Sequence, residues 1–178
     1  QEIVAKEYKN SGLFMPNAII LEGLNEHQAT EAMKIEMPKM LEDEYLKSLK
    51  EKLIRNPEYK HSVMMLGFKY FFHKWVNNEI IVEGITPWKE FRKNSINALN
   101  QIKSEIKKGE KIAVFSSGGT ISSMIGEVLG IKKEIAIANL NFSVRNTSFS
   151  KLLYSDKETN LLTFNELPHL KDEMITFV

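Results

Sequence analysis

The chain has 178 residues, enough for one domain of ordinary size, and its 43% hydrophobic and 26% charged content excludes wholesale disorder. Lys plus Arg is 24 and Asp plus Glu is 23, so the net charge of +1 excludes a whole-chain basic field for nucleic acid, though not a local basic pocket. Cysteine is absent, which excludes disulfides, thiolate metal sites and a cysteine nucleophile.

No apolar run reaches the ~18 residues a membrane span needs. The richest stretch, Ser62 to Val76, is interrupted by Lys69, His73 and Lys74. No signal-peptide pattern opens the chain. The expected setting is cytoplasmic, with no nucleic acid and no membrane as partner. Glu2-Ile3-Val4-Ala5-Lys6-Glu7-Tyr8 already reads as the middle of a helix. The sequence is therefore expected to start inside its domain.

Gln1 to Asn10 reads as the tail of a helix that Ser11-Gly12 stops. Ala18-Ile19-Ile20-Leu21 is a short apolar strand, and Glu22 to His27 is the polar loop at its carboxyl end. In open α/β sheets ligands collect at that end. Ala29 to Arg55 is helical, broken at Pro38. Leu41, Tyr45, Leu49 and Leu53 form its apolar stripe. Its acids and bases balance, which marks a solvated helix face. His61 to Val76 is a further helix, with Met64, Phe68, Phe71, Phe72 and Trp75 on its core side. Ala29 to Val76 is thus predicted as a helical insertion packed beside a sheet.

Thr86-Pro87 starts the next helix, with Thr86 as N-cap and Pro87 at the first helical position. Trp88, Phe91, Ser95, Leu99, Ile102 and Ile106 line one face. Lys107-Lys108-Gly109 ends it. Lys111 to Phe115 is a buried strand, Ser116 to Thr120 a tight turn, and Ile121 to Leu129 a helix that stops at Gly130. Strand, turn and helix make half of a βαβ unit. Ile135 to Leu140 is a further strand candidate. Asn146 to Ser155 and Asn160 to Phe164 read as a closing pair around Asp156-Lys157-Glu158-Thr159. There is no internal repeat.

Two segments could carry chemistry. In Ser116-Ser117-Gly118-Gly119-Thr120, two serine hydroxyls and two glycines stand between a strand and a helix N-terminus. Free N–H groups and the helix dipole favour an anion there, and Gly allows close approach. A tight turn without a ligand has the same spacing. The second segment is Asn25-Glu26-His27. Glu26 could serve as general acid or base beside a phosphate pocket. The plain alternative is a helix-capping acid with an exposed His27. The motif G-x-x-x-x-G-K-[ST] is missing, as are G-x-G-x-x-G and G-x-S-x-G, because Phe115 stands where the last would need Gly. His27, His61, His73 and His169 show no metal-ligand spacing. No metal and no cofactor are expected.

The order of these features resembles the histidine phosphatase superfamily, the phosphoglycerate-mutase-like proteins. Ile112 to Ile121 resembles the family strand that ends in Val-Ser-His-Gly-Gly. Leu24-Asn25-Glu26-His27 resembles its Leu-Asn-Glu-Arg loop. Arg145-Asn146-Thr147-Ser148-Phe149 resembles its Asn-x-Ser strand, and Phe164 to Leu170 its terminal Asn…His-Leu segment. Gln1-Glu2-Ile3-Val4 resembles the helix after the family's second phosphate-binding Arg.

The resemblance implies a three-layer α/β/α sandwich around a mostly parallel sheet, 1–178 forming a single domain with 29–76 inserted. It implies a phosphatase that forms a phosphohistidine and acts on a small phosphorylated substrate or binds phosphate ion. Glu26 would be the acid/base. Asn25, Ser116, Gly118 and Gly119 would bind phosphate. A homodimer is compatible with it. Two departures stand out. The family's nucleophilic Arg-His-Gly does not occur in this sequence, so it is expected upstream. Ser117 stands where the family has its second His. Exchanging a charge-assisted hydrogen bond for a neutral one forfeits about 1–2 kcal/mol, on the order of tenfold in rate. These departures keep two other readings open: a non-catalytic pseudo-phosphatase that binds phosphate or a partner, and a serine hydrolase using Ser117.

Overall fold

The core is built around one helix, α4 (Lys60–Val76). Val63, Gly67, Phe71, Phe72, Trp75 and Val76 of α4 are buried. Met64, predicted on the core side, is 60% exposed, and Val63 and Gly67 take the inward positions instead. The helices of 29–76, expected as an insertion beside a sheet, therefore supply the centre of the molecule rather than a flank. The computed structural model describes residues 2–155 and 157–176. Gln1 and Asp156, the latter in the predicted loop of the closing pair, lie outside the described residues.

Four elements gather on α4. They are α2 (Ala29–Glu36), α3 (Glu44–Arg55), α5 (Trp88–Glu105) and α7 (Glu134–Asn141). Ala29 and Ala32 put small side chains against Phe71, Phe72 and Trp75, so α2 approaches closely. Asp43 caps α3, accepting from the Tyr45 and Leu46 amides at 3.0 and 3.3 Å, and also accepts from Tyr70 Oη at 2.8 Å. That last bond pins the start of α3 to α4. Of the predicted α3 stripe only Leu49 is buried, while Leu41 is 62% exposed.

Trp88, Phe91, Ser95 and Leu99 of α5 are buried as their spacing predicts. The helix begins one residue later than expected, with Pro87 as N-cap in an extended conformation. The Pro87 carbonyl accepts the first helical bonds, from Glu90 and Phe91, both at 3.0 Å. Glu134 on α7 accepts from Trp88 Nε1 at 2.7 Å and from Arg92, tying α7 to α5.

Ile135 to Leu140, predicted as a strand, lies within α7. A short apolar run carries no periodicity that separates strand from helix. Here Ile137, Ala138 and Asn141 face inward at helical spacing. Ile137 packs over Gly126 of α6 (Gly118–Val128), where an added Cβ would stand 2.9 Å from Ile137 Cγ1. Gly130 (φ +66°) closes α6, with the Ile131 amide donating to the Gly126 carbonyl at 2.8 Å. At the chain's start, α1 (Glu2–Asn10) ends at Gly12 (φ +68°) as predicted.

The closing pair is β1 (Phe149–Tyr154) and β2 (Thr159–Glu166), antiparallel, with Phe149 opposite Glu166 and Leu153 opposite Asn160. Asn165 at its end has φ +63°. It accepts from the Arg145 amide at 2.8 Å and donates to the Ser143 carbonyl at 2.7 Å.

Among the described residues this two-stranded sheet replaces the expected mostly parallel one. Ala18–Leu21 and Lys111–Phe115 form neither helix nor ladder. A strand exists only through its neighbour's hydrogen bonds, and neither segment has one here. Their apolar side chains stay partly in solvent: Ile20 is 89% exposed and Val114 44%.

Candidate functional site

The two segments singled out in the sequence meet in space. Ser116 Oγ donates to the Leu24 carbonyl at 2.7 Å, and Thr120 Oγ1 donates to the Asn25 carbonyl at 3.0 Å. These two hydroxyls thus replace backbone partners that the Leu24–His27 loop lacks. Ala98, Leu99 and Met124 form a small core behind the junction, with Leu21, Leu24 and Val128 packed on it. Gly23 lets the loop lie flat on α5. A Cβ there would stand 2.4 Å from the Asn94 carbonyl oxygen.

Glu26 sits directly over Gly119. A Cβ on Gly119 would come within 2.8 Å of Glu26 Oε1 and 2.4 Å of His27 Cδ2. The second glycine of the turn is therefore required by a carboxylate and an imidazole of the same chain. Gly118 is covered in the same way by Asn141, whose Oδ1 would lie 2.7 Å from an added Cβ. Asn141 gives no signal in the sequence. It stands inside a run that reads as strand followed by loop.

The His27 side chain is largely enclosed, not exposed. It is 10% accessible, against 41% for that of Glu26. The ring centres of Phe72, Trp75, Trp88 and Phe91 lie 5.1, 5.8, 5.9 and 5.4 Å from its own. Nδ1 accepts from the Ala29 amide at 3.4 Å, so the proton of the neutral ring is on Nε2. Glu26 Oε1 accepts from the His27 amide at 2.8 Å, whereas Nε2, 3.3 Å from it, is buried without a hydrogen-bond partner. Burial among the aromatic rings lowers the imidazole pKa below its usual 6.5, opposed in part by the charges of Glu26 and Glu31. The imidazole is thus neutral at pH 7.

Ser117 is the N-cap of α6, yet its side chain makes no capping bond. Its Oγ is buried without a hydrogen-bond partner. A cavity of about 780 Å³ opens beside the junction. Asn25, Glu26 and His27 line it from the loop, and Asn94, Asn97 and Gln101 line it from α5. It carries no Lys or Arg in its lining, and the residues Ser116 to Gly119 do not reach it. The three α5 amides carry no signal in the sequence, because they lie on the solvent side of an amphipathic helix.

At the far end, Thr147 Oγ1 and His169 Nε2 are 3.2 Å apart, and Phe149 stacks edge-on against the His169 ring at 5.2 Å. His169 and Asn165 serve the chain's own corner there.

Residues 67–167 match the family model of the histidine phosphatase superfamily (branch 1). That is more than half of the chain. It spans the Ser116–Thr120 turn, the Arg145–Phe149 segment and β2. The chain belongs to the histidine phosphatase superfamily. Members of this superfamily are generally phosphatases or mutases, and the family's fold is α/β. Ser116, Ser117, Gly118 and Gly119 lie within the matched stretch of the superfamily, whereas Asn25 and Glu26 precede it. No curated protein and no solved structure matches the chain. No described helix is long and apolar enough to cross a membrane.

Proposed function

We propose that this member of the superfamily is a phosphatase, rather than a mutase, acting on a small phosphomonoester. The observation that carries the reading is the seating of Glu26 over Gly119. It joins the acid/base candidate to the turn of the family strand, two segments more than 90 residues apart in sequence.

In this reading a histidine attacks phosphorus and the ester P–O bond breaks. Glu26 gives its proton to the departing oxygen. Glu26 then takes a proton from water, whose oxygen attacks the phosphohistidine and releases phosphate. None of His27, His61, His73 and His169 stands in an Arg-His-Gly. The nucleophile is therefore assigned to a segment ahead of Gln1. Asn25, Ser116, Gly118 and Gly119 frame the phosphate site, and Ser117 supplies a neutral hydrogen bond where relatives have His.

The same reading extends to the fold. The exposed apolar residues of Ala18–Leu21 and Lys111–Phe115 support a place for both segments in a mostly parallel sheet of a three-layer sandwich. The helices of 29–76 form an insertion in that single domain. A cytoplasmic setting and a homodimer accord with it.

The second reading is a pseudo-phosphatase that binds phosphate or a partner without turnover. The buried, unpartnered Ser117 hydroxyl favours it, because it occupies the position of a catalytic His. A serine hydrolase has less support. Among the described residues no base lies within hydrogen-bond reach of Ser117 Oγ.

The deciding experiment gives the full-length protein a panel of phosphomonoesters and traps the labelled intermediate. Turnover with an acid-labile phosphohistidine is expected. Saturable phosphate binding with neither turnover nor adduct would replace the phosphatase by the pseudo-phosphatase.

A further inference from the structure

We propose that the cavity beside Glu26 is the leaving-group subsite and that it takes a neutral, polyhydroxylated group. The substrate is then the phosphomonoester of a sugar or polyol that carries no second anionic group. The proposal rests on the phosphatase reading for the role of Glu26.

Glu26 is the wall shared by the turn and the cavity. Its Oε1 would lie 2.8 Å from a Cβ on Gly119, and the residue also lines the cavity, which Ser116 to Gly119 do not reach. A general acid must stand within hydrogen-bond reach of the oxygen it protonates. A phosphoryl group held at the turn therefore directs its departing oxygen to Glu26 and the rest of the alcohol into the cavity. The volume of about 780 Å³ falls within the ~300–1,000 Å³ of small-molecule sites.

Carboxamides dominate the polar chemistry of the lining. Asn94, Asn97 and Gln101 stand at i, i+3 and i+7 on α5, which places them in one stripe, and Asn25 and Gln28 line the cavity from the loop. Among the described residues the side chains of Asn25, Asn94 and Asn97 make no hydrogen bond. Gln101 donates Nε2 to Glu105 at 3.0 Å and keeps its Oε1, and Gln28 accepts the Thr86 amide on Oε1 at 3.3 Å and keeps its Nε2. A carboxamide both donates and accepts, which matches a hydroxyl. Phe91 and Ala98 add an apolar strip for the C–H face of a sugar. A second phosphate or a carboxylate would meet no Lys or Arg in the lining, and would face the carboxylates of Glu22 and Glu26. A quaternary ammonium would form no hydrogen bond with the carboxamides.

The test gives the full-length protein two matched pairs: fructose monophosphate against fructose bisphosphate, and glycerol phosphate against phosphoglycerate. Phosphocholine and phenyl phosphate accompany them. Within each pair the member without the second anionic group is expected to have a kcat/KM about tenfold higher or more, and phosphocholine is expected to trail fructose monophosphate. The double variant Asn94→Ala/Asn97→Ala alters two exposed positions and raises helix propensity, so α5 is kept. It is expected to lose about tenfold in kcat/KM on fructose monophosphate, mainly through KM, and several-fold less on phenyl phosphate, whose leaving group has no further hydroxyl. Asn97→Arg is expected to narrow the gap between fructose monophosphate and fructose bisphosphate. Wild-type turnover of the doubly anionic members or of phosphocholine equal to that of fructose monophosphate would overturn the proposal and leave the phosphatase reading standing. Equal losses of the double variant on fructose monophosphate and phenyl phosphate would do the same. If the wild-type protein turns over no phosphomonoester, the phosphatase reading fails and binding decides the subsite. The side-chain amide NMR signals of Asn94 and Asn97 are then expected to shift with fructose monophosphate and not with fructose bisphosphate, and unshifted signals would overturn the proposal.

Discussion

Gly119→Ala puts the junction between loop and turn under direct test. The added Cβ would stand 2.4 Å from His27 Cδ2 and 2.8 Å from Glu26 Oε1, both inside contact distance. His27 cannot retreat, because four aromatic rings surround it. Glu26 is half-exposed and can move, so the carboxylate is the group displaced. Overpacking of this kind costs about 1–3 kcal/mol. Gly119 lies in the first turn of α6, and replacing Gly by Ala within a helix returns up to about 1 kcal/mol. The net loss is then about 0–3 kcal/mol, read as a fall in urea midpoint. A displacement of the carboxylate by about 1 Å costs on the order of a hundredfold in kcat. The expected signature is therefore a loss of turnover on a phosphomonoester well beyond what the stability change accounts for. Gly126→Ala is the control. Its Cβ meets Ile137 at 2.9 Å, away from the site, so stability falls while kcat holds. Wild-type kcat in Gly119→Ala would refute the seating of Glu26 on the turn.

His27 makes stability depend on pH. Its folded-state pKa is lowered by burial from 6.5, so the unfolded chain binds more protons wherever pH lies between the two values. The contribution is fully present above about pH 6.5 and is lost as pH falls toward and through the folded value; urea midpoints at pH 8 and pH 5 should converge for His27→Phe relative to wild type. Glu134→Ala strands Trp88 Nε1 and leaves the largely buried Arg92 only the Ile131 carbonyl at 3.3 Å and Glu127 at 3.7 Å, and is expected to cost about 2–4 kcal/mol in denaturant unfolding. Glu134→Gln keeps an acceptor for Trp88 and should cost clearly less. Asn165→Ala loses two hydrogen bonds at a residue with φ +63°, a loss of about 2–3 kcal/mol, whereas Asn165→Gly keeps the backbone conformation and should lose about 1 kcal/mol less. Equal midpoints for the two Asn165 variants would show that the backbone conformation carries no cost.

Local pattern determined a good deal. The stripe from Trp88 to Leu99, the glycine stops at Gly12 and Gly130, and the β1–β2 pair were all legible in the sequence. Each depends on neighbours within a few residues. Order of motifs was legible too, and the family match bears out the superfamily it suggested. Where local signals were equal, tertiary packing decided. Ile135 to Leu140 could be strand or helix until Ile137 found Gly126. Asn141 and the α5 amides carried no signal at all. His27 follows a polar acid in a polar loop, and nothing nearby in sequence says that four aromatic side chains from α4 and α5 close around it. The meeting of Glu26 with Gly119 is likewise beyond any periodicity. Periodicity reports the direction a side chain takes from its own backbone, whereas burial and pairing depend on which distant segment arrives to meet it.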